Sequence, residues 1–116
     1  MTPMDLSPAH LHQLKALLKR YLPEYEVRVF GSRVHGTAHR ASDLDVVIMN
    51  ETALSLMCRA QLREAFIASD LPFRVDIVEW ADTNENFRKV ILERWAVLQP
   101  APGAEARARS GNALNR

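Results

Sequence analysis

The spacing of apolar residues in the N-terminal part of the chain predicts an amphipathic helix. Ser7 is placed to cap this helix and Pro8 to occupy its first position. Pro23 is expected to end it, because proline cannot continue a helix. The residues on its apolar stripe are Leu11, Leu14, Leu17, Leu18 and Tyr21.

Further along, apolar and polar residues change to the alternating pattern of β-strands. This pattern predicts strands over residues 25–30, 44–49 and 73–80, with a possible short edge strand over residues 96–98. The first of these strands leads directly into Gly31. Glu79 is expected to face the opposite side of its strand from Asp76.

Helical spacing returns twice between and after these strands. A second helix is predicted over residues 54–68, and a third over roughly 83–94 with Asp82 or Thr83 as its cap. A short helix is also expected to begin near Ser32. The buried residues of the second helix are predicted to be Leu54, Met57, Leu62, Ala65 and Phe66, or a close variant of this set. Those of the third are predicted to be Phe87, Val90, Ile91 and Trp95.

The order of these elements predicts an α/β (α+β) fold, in which a small mixed β-sheet carries helices mainly on one face. Residues 1–99 are expected to form this single domain. Residues 100–116 lack periodicity and are expected to be a disordered tail.

Composition narrows the possible functions. The chain has 116 residues and a formal charge of +1, and residues 1–100 alone carry −1. This balance argues against direct nucleic-acid binding, which needs a basic face. The single cysteine, Cys58, cannot form an internal disulfide, and no signal peptide or membrane span is indicated. We therefore expect a cytoplasmic protein.

The candidate chemistry centres on aspartates. Asp43 and Asp45 project from the same face of the second predicted strand, with Cα atoms about 6.5–7 Å apart. Two such carboxylates repel each other unless a cation lies between them, and oxygen ligands favour Mg²⁺ or Mn²⁺. Asp76 joins the same face if the third strand pairs beside the second. Three carboxylates of this kind suit a metal-dependent phosphoryl or nucleotidyl transfer.

Phosphate-binding groups are expected directly before these aspartates. Gly31 and Ser32 lie between a strand and a presumed helix start, where backbone N–H groups and a hydroxyl can contact phosphate oxygens. Arg33 is a further candidate phosphate contact. Ser42 is a candidate to hydrogen-bond near the metal-binding loop.

Residues 31–48, GSRVHGTAHRASDLDVVI, resemble the signature of the DNA-polymerase-β-like nucleotidyltransferase superfamily. The Gly-Ser-Arg form is similar to that of minimal nucleotidyltransferases (MNT), which are commonly encoded beside a helical HEPN partner. The similarity covers roughly residues 20–99 and is most specific at residues 30–49.

This resemblance implies a polymerase-β-like fold and a set of roles. Gly31 and Ser32 would bind the triphosphate, Asp43 and Asp45 would ligate Mg²⁺, and Asp76 would complete the metal site and help to activate the acceptor hydroxyl. It also implies that the chain is an antitoxin that transfers AMP from ATP to a tyrosine of a HEPN toxin, within a hetero-oligomer. His35 and His39 have no assigned role.

Two alternatives remain open from the sequence. The chain could be a nucleotide-binding module that neutralises its partner by association alone. It could also be a transferase that modifies a small molecule such as an aminoglycoside.

Overall fold

The computed structural model describes residues 6–31 and 43–103. Within them, the structure has three α-helices and four β-strands. They are α1 (Pro8–Tyr21), β1 (Val27–Phe30), β2 (Leu44–Ile48), α2 (Leu56–Ile67), β3 (Val75–Glu79), α3 (Glu85–Glu93) and β4 (Trp95–Gln99). A 3₁₀ turn, Trp80–Asp82, joins β3 to α3. The short helix expected near Ser32, and the tail beyond residue 103, lie outside the described residues.

The strands form one mixed sheet in the order β3-β2-β1-β4. Strand β1 is antiparallel to β2 and β4, whereas β2 and β3 are parallel. This confirms the α+β class and shows that residues 96–98 belong to a strand. The pairing also aligns Asp76, Asp45, Phe30 and Trp95 across the four strands. We call these four residues the cross-sheet row.

The sheet buries apolar side chains on both faces. Its helix face is covered by α1 and α2, where Leu14, Leu18 and Leu62 pack on β-strand residues such as Val29 and Val46. The opposite face carries Asp45 and Asp76, and we call it the aspartate face. Here Ile91 of α3 is fully buried in a smaller cluster with Phe30 and Val47. Two of the three helices therefore lie on one face, as the sequence predicts.

The start of α1 is as predicted, and the other two helices need corrections. The Ser7 hydroxyl accepts a hydrogen bond from the His10 N–H, and Pro8 follows it. Helix α2 begins after Ser55, so Leu54 is buried but precedes the helix. Met57 was wrongly predicted to be buried. It is 67% exposed, and Cys58 packs against the core instead.

Helix α3 begins after Asn84, whose side chain caps the Phe87 N–H, so neither Asp82 nor Thr83 is the cap. Phe87 and Ile91 pack inward as predicted. The predictions for Val90 and Trp95 were wrong: Val90 is exposed, and Trp95 lies in β4. The helix ends at Glu93, so Trp95 begins the next strand and does not continue the apolar stripe of the helix.

Glu79 connects β3 to the segment that leads into α2. Its carboxylate accepts hydrogen bonds from the Leu54 N–H at 2.8 Å, from Asn50 Nδ2 at 3.0 Å and from Arg59 Nε at 2.6 Å. Desolvation by burial raises its pKa, but the hydrogen bonds from these three groups outweigh that effect and lower the pKa below its ordinary value. Glu79 therefore has a structural position on the helix face.

None of the helices that the structure describes combines the length and the apolar character required to cross a lipid bilayer.

Candidate functional site

The site begins where β1 ends, at Gly31. This residue has a φ of 86°, in the left-handed region that glycine adopts without steric cost. A Cβ atom built on Gly31 would lie 2.6 Å from Asp45 Oδ2, which is closer than non-bonded atoms approach. The glycine therefore satisfies two requirements at once: a sharp exit from the strand and room for the Asp45 carboxylate.

Asp45 and Asp76 are direct neighbours on the parallel strands β2 and β3. Their side chains share the aspartate face, because each alternates with residues that pack on the helix face: Leu44 and Val46 around Asp45, and Val75 and Ile77 around Asp76. Neighbouring strands are about 4.8 Å apart, so the two carboxylates extend from adjacent backbones. The structure thus provides the strand pairing on which the sequence prediction for Asp76 depended.

The charges of the other two predicted acids act on Asp45. Desolvation by burial raises the pKa of Asp45, and the negative charges of Asp76 and Asp43 raise it further. Asp43 precedes β2 and its side chain is half exposed. The three predicted acids therefore gather at one corner of the sheet, where each added negative charge is unfavourable to the next.

Arg74 partly compensates this charge. Its Nε and Nη2 atoms both lie 2.9 Å from Asp76 Oδ1, and its Nε lies 3.9 Å from Asp43 Oδ2. The guanidinium therefore lies between two of the acids while its side chain remains 73% exposed. Within residues 6–31 and 43–103, no group of three or more His, Cys, Asp or Glu side chains is arranged to hold a metal ion.

Sequence reasoning missed the role of Arg74 in this corner. The signal was present, because the sequence pattern predicts a strand over residues 73–80, in which residues 74 and 76 project to the same face. The other predicted residues, Ser32, Arg33 and Ser42, lie outside the described residues, as do His35 and His39.

Comparison with known proteins adds to this geometry. Residues 11–98 match the family model of the nucleotidyltransferase domain. The chain is 44% identical over 96 residues to a protein of Haemophilus influenzae named "Probable protein adenylyltransferase MntA", covering 83% of this chain and 84% of that protein.

Solved structures with the same fold include toxin–antitoxin complexes. One, a toxin–antitoxin with AMP-PNP, has a TM-score of 0.65 at 24% identity, covering 90% of this chain and 85% of that chain. Another is a tri-AMPylated HEPN toxin of Shewanella oneidensis in complex with MNT antitoxin, with a TM-score of 0.60 at 18% identity, covering 91% and 82%. At these identities the solved structures show only that the fold is shared. The family model and the Haemophilus relative show to which family the chain belongs. The chain belongs to the nucleotidyltransferase-domain family.

Proposed function

We propose that this protein is a Mg²⁺-dependent adenylyltransferase that moves AMP from ATP to a tyrosine hydroxyl of a HEPN-type partner protein, and thereby acts as an antitoxin in the cytoplasm. The observation that carries the proposal is the corner formed by Gly31, Asp45 and Asp76, with Asp43 beside it. The glycine brings the end of β1 against a carboxylate that two other acids surround.

The donor set of this corner fits a hard divalent cation. Asp43, Asp45 and Asp76 offer only carboxylate oxygens, the ligands that Mg²⁺ and Mn²⁺ prefer. Desolvation by burial, and then the negative charges of Asp76 and Asp43, raise the pKa of Asp45, and a bound cation would relieve both unfavourable effects. When bound, the metal would neutralise charge on the triphosphate and make the attacking hydroxyl easier to deprotonate. Arg74 would have to leave Asp76 for that carboxylate to act as a ligand.

The residues of the chain have distinct proposed roles in the transfer. Gly31 has no side chain, so the triphosphate can approach the backbone there, and Ser32 with Arg33 and Ser42 would add donors to it. Asp76 would accept the proton of the acceptor hydroxyl. The hydroxyl oxygen then forms its bond to the α-phosphorus of ATP, and the bond to pyrophosphate breaks.

The protein acceptor is suggested by the relatives together with the small size of the domain. One relative is named a probable protein adenylyltransferase, and one structural neighbour contains an AMPylated HEPN toxin. The domain matched to the family model spans only residues 11–98. We expect a partner subunit in a hetero-oligomer to present the acceptor hydroxyl to this domain.

The test is to purify the chain with a HEPN-type partner protein and to add ATP and Mg²⁺. Intact-mass spectrometry should show adenylyl additions to the partner with the wild-type chain and none with Asp43→Asn/Asp45→Asn. If the double variant still neutralises the partner fully in cells, the protein acts by association alone. If an aminoglycoside is adenylylated while the partner's mass stays unchanged, the acceptor is a small molecule.

A further inference from the structure

A groove runs along the outer edge of the sheet, between β3 and α2. Its volume is about 710 Å³, and its apolar walls include Leu62, Phe66, Phe73 and Ile77. Asp76 also borders it, although its side chain belongs to the aspartate face. The groove therefore lies on the helix-face side of β3 and reaches the edge of that strand at Asp76.

Strand β3 leaves backbone groups available along this groove. It is an edge strand of the sheet that residues 6–31 and 43–103 form. The Arg74 carbonyl accepts a hydrogen bond from the Leu44 N–H at 2.8 Å, so it points toward β2. Because successive strand residues direct their backbone groups to opposite sides, the N–H and C=O groups of Val75 and Ile77 point away from β2. An exposed edge of this kind is a template for a further strand.

Three arginines border the groove, and two of them form ion pairs. Arg59 is held by Glu79, and Arg74 is held by Asp76. Arg63, which also borders the groove, is exposed and makes no hydrogen bond or ion pair with any residue that the structure describes. A positive charge is therefore available on the α2 side of the groove to meet a negative one on a ligand.

We propose that this groove binds the protein acceptor as an extended segment that pairs with the free edge of β3. The inference rests on the proposed adenylyl transfer and specifies how its acceptor docks. The alternation of side chains in an added strand would send one residue to the aspartate face, next to Asp76, and its neighbours to the apolar groove. The acceptor segment is thus a hydroxyl residue flanked by apolar side chains, with an acidic residue near Arg63.

In this docking, the acceptor residue would lie beside Asp76 and become the next residue of the cross-sheet row. Phe30, Asp45 and Asp76 occupy successive strands, and the acceptor residue would be the next in line, about 4.8 Å from the Asp76 backbone. A hydroxyl in that position lies beside the carboxylate that is proposed to take its proton. A small acceptor without a backbone could not use the edge of β3 in this way.

Amide hydrogen exchange measured by NMR tests the docking directly, with the partner protein as the probe and without ATP. The Val75 and Ile77 amides should exchange at least about tenfold more slowly when the partner is bound, as expected for newly hydrogen-bonded groups. The amides of β4, the opposite edge strand, serve as the internal comparison. Protection of β4 with none at Val75 and Ile77 would overturn the proposal.

A matched pair of charge reversals gives a second, kinetic test. Arg63→Glu should raise the KM for the protein acceptor about tenfold and leave the KM for ATP unchanged, because a repelled acidic residue weakens only acceptor binding. Lys15→Glu makes the same change at an exposed mid-helix position of α1 outside the groove, and it should alter neither constant. Equal effects of the two variants, or an effect of Arg63→Glu on ATP alone, would overturn the proposal.

The two tests separate failure of the docking from failure of the function. Slowed exchange at Val75 and Ile77 without any AMP transfer would support the docking and refute the adenylyltransferase. AMP transfer to a partner that leaves both amides unprotected would refute the docking alone.

Discussion

Gly31 and Asp45 are in such close contact that any side chain at position 31 would overlap the carboxylate at position 45. The contact joins the end of β1 to the middle of the proposed metal site. It also explains why a glycine is needed here for a reason beyond its positive φ, since the space that a Cβ would fill is already occupied by Asp45 Oδ2.

Replacing this glycine should therefore damage both folding and activity. Gly31→Ala is expected to lower the free energy of unfolding by about 1 to 2 kcal/mol, the cost of a left-handed alanine, with a further loss as Asp45 is displaced. AMP transfer should fall to background. Thermal unfolding and intact-mass assays of the partner measure the two effects.

Gly103→Ala is the matched control for the cost of placing an alanine in the left-handed backbone conformation. Gly103 also has a positive φ, 80°, but it lies in the turn beyond β4. The control should lose comparable stability and keep its transfer activity. Full activity in Gly31→Ala would show that the contact with Asp45 has no functional role.

Asp45→Asn should raise the thermal stability of the metal-free protein and remove the stabilisation that a bound metal gives. In the metal-free protein at neutral pH, the variant should unfold at a higher temperature than the wild type, because burial and two neighbouring acids oppose the charge of Asp45. Mg²⁺ or Mn²⁺ should raise the unfolding temperature of the wild type only. Thermal-shift measurements check both points, and an equal metal response in the two proteins would argue against Asp45 as a ligand.

Arg74 is expected to compete with the metal for the carboxylates. Arg74→Gln removes a positive charge within 4 Å of Asp43 and Asp76. A unit charge at that distance is worth about 1 kcal/mol in water, so Mn²⁺ should bind several-fold more tightly. Titration followed by electron paramagnetic resonance measures the affinity.

Arg63→Gln removes the same charge away from the acids and should leave Mn²⁺ affinity close to that of the wild type. Weaker Mn²⁺ binding in Arg74→Gln would instead mean that the guanidinium positions Asp76 for the metal.

The Glu79 interactions predict a defined dependence of stability on pH. Because the folded-state pKa of Glu79 is lowered from its ordinary value of 4.5, its contribution is present above that pH and is lost as the pH falls through the lower folded value. Glu79→Gln should cost about 1.5–3 kcal/mol at neutral pH, the range for hydrogen bonds to a charged group. Urea unfolding of both proteins should give a difference that shrinks below about pH 4.5; a constant difference would contradict this account.

Structure could be predicted from the sequence where apolar residues recur with the period of a strand or a helix and where a capping residue marks the start of a helix. The alternation around Asp45 and around Asp76 predicted that each projects away from its apolar strand neighbours, and Ser7 with Pro8 predicted the start of α1. These features depend on local backbone geometry, which the sequence encodes directly.

Features that depend on packing between distant elements were less accessible. The parallel pairing of β2 with β3 had to be assumed, although it decides whether Asp76 meets Asp45. Helix α2 has weakly segregated apolar residues, so Met57 and Cys58 could not be distinguished by period alone; contact with the rest of the core favours Cys58. The three hydrogen bonds that Glu79 accepts come from residues 20, 25 and 29 positions away in the sequence, and no spacing rule predicts them.

Isotopically labelled ATP shows which part of the nucleotide, if any, Asp43, Asp45 and Asp76 transfer to the partner protein. The partner should be incubated with the chain, Mg²⁺ and ATP labelled on either its α- or its γ-phosphate. We expect label on the partner from α-labelled ATP only, and none when Asp45→Asn replaces the wild type. Label from γ-labelled ATP, or equal labelling by Asp45→Asn, would contradict this expectation.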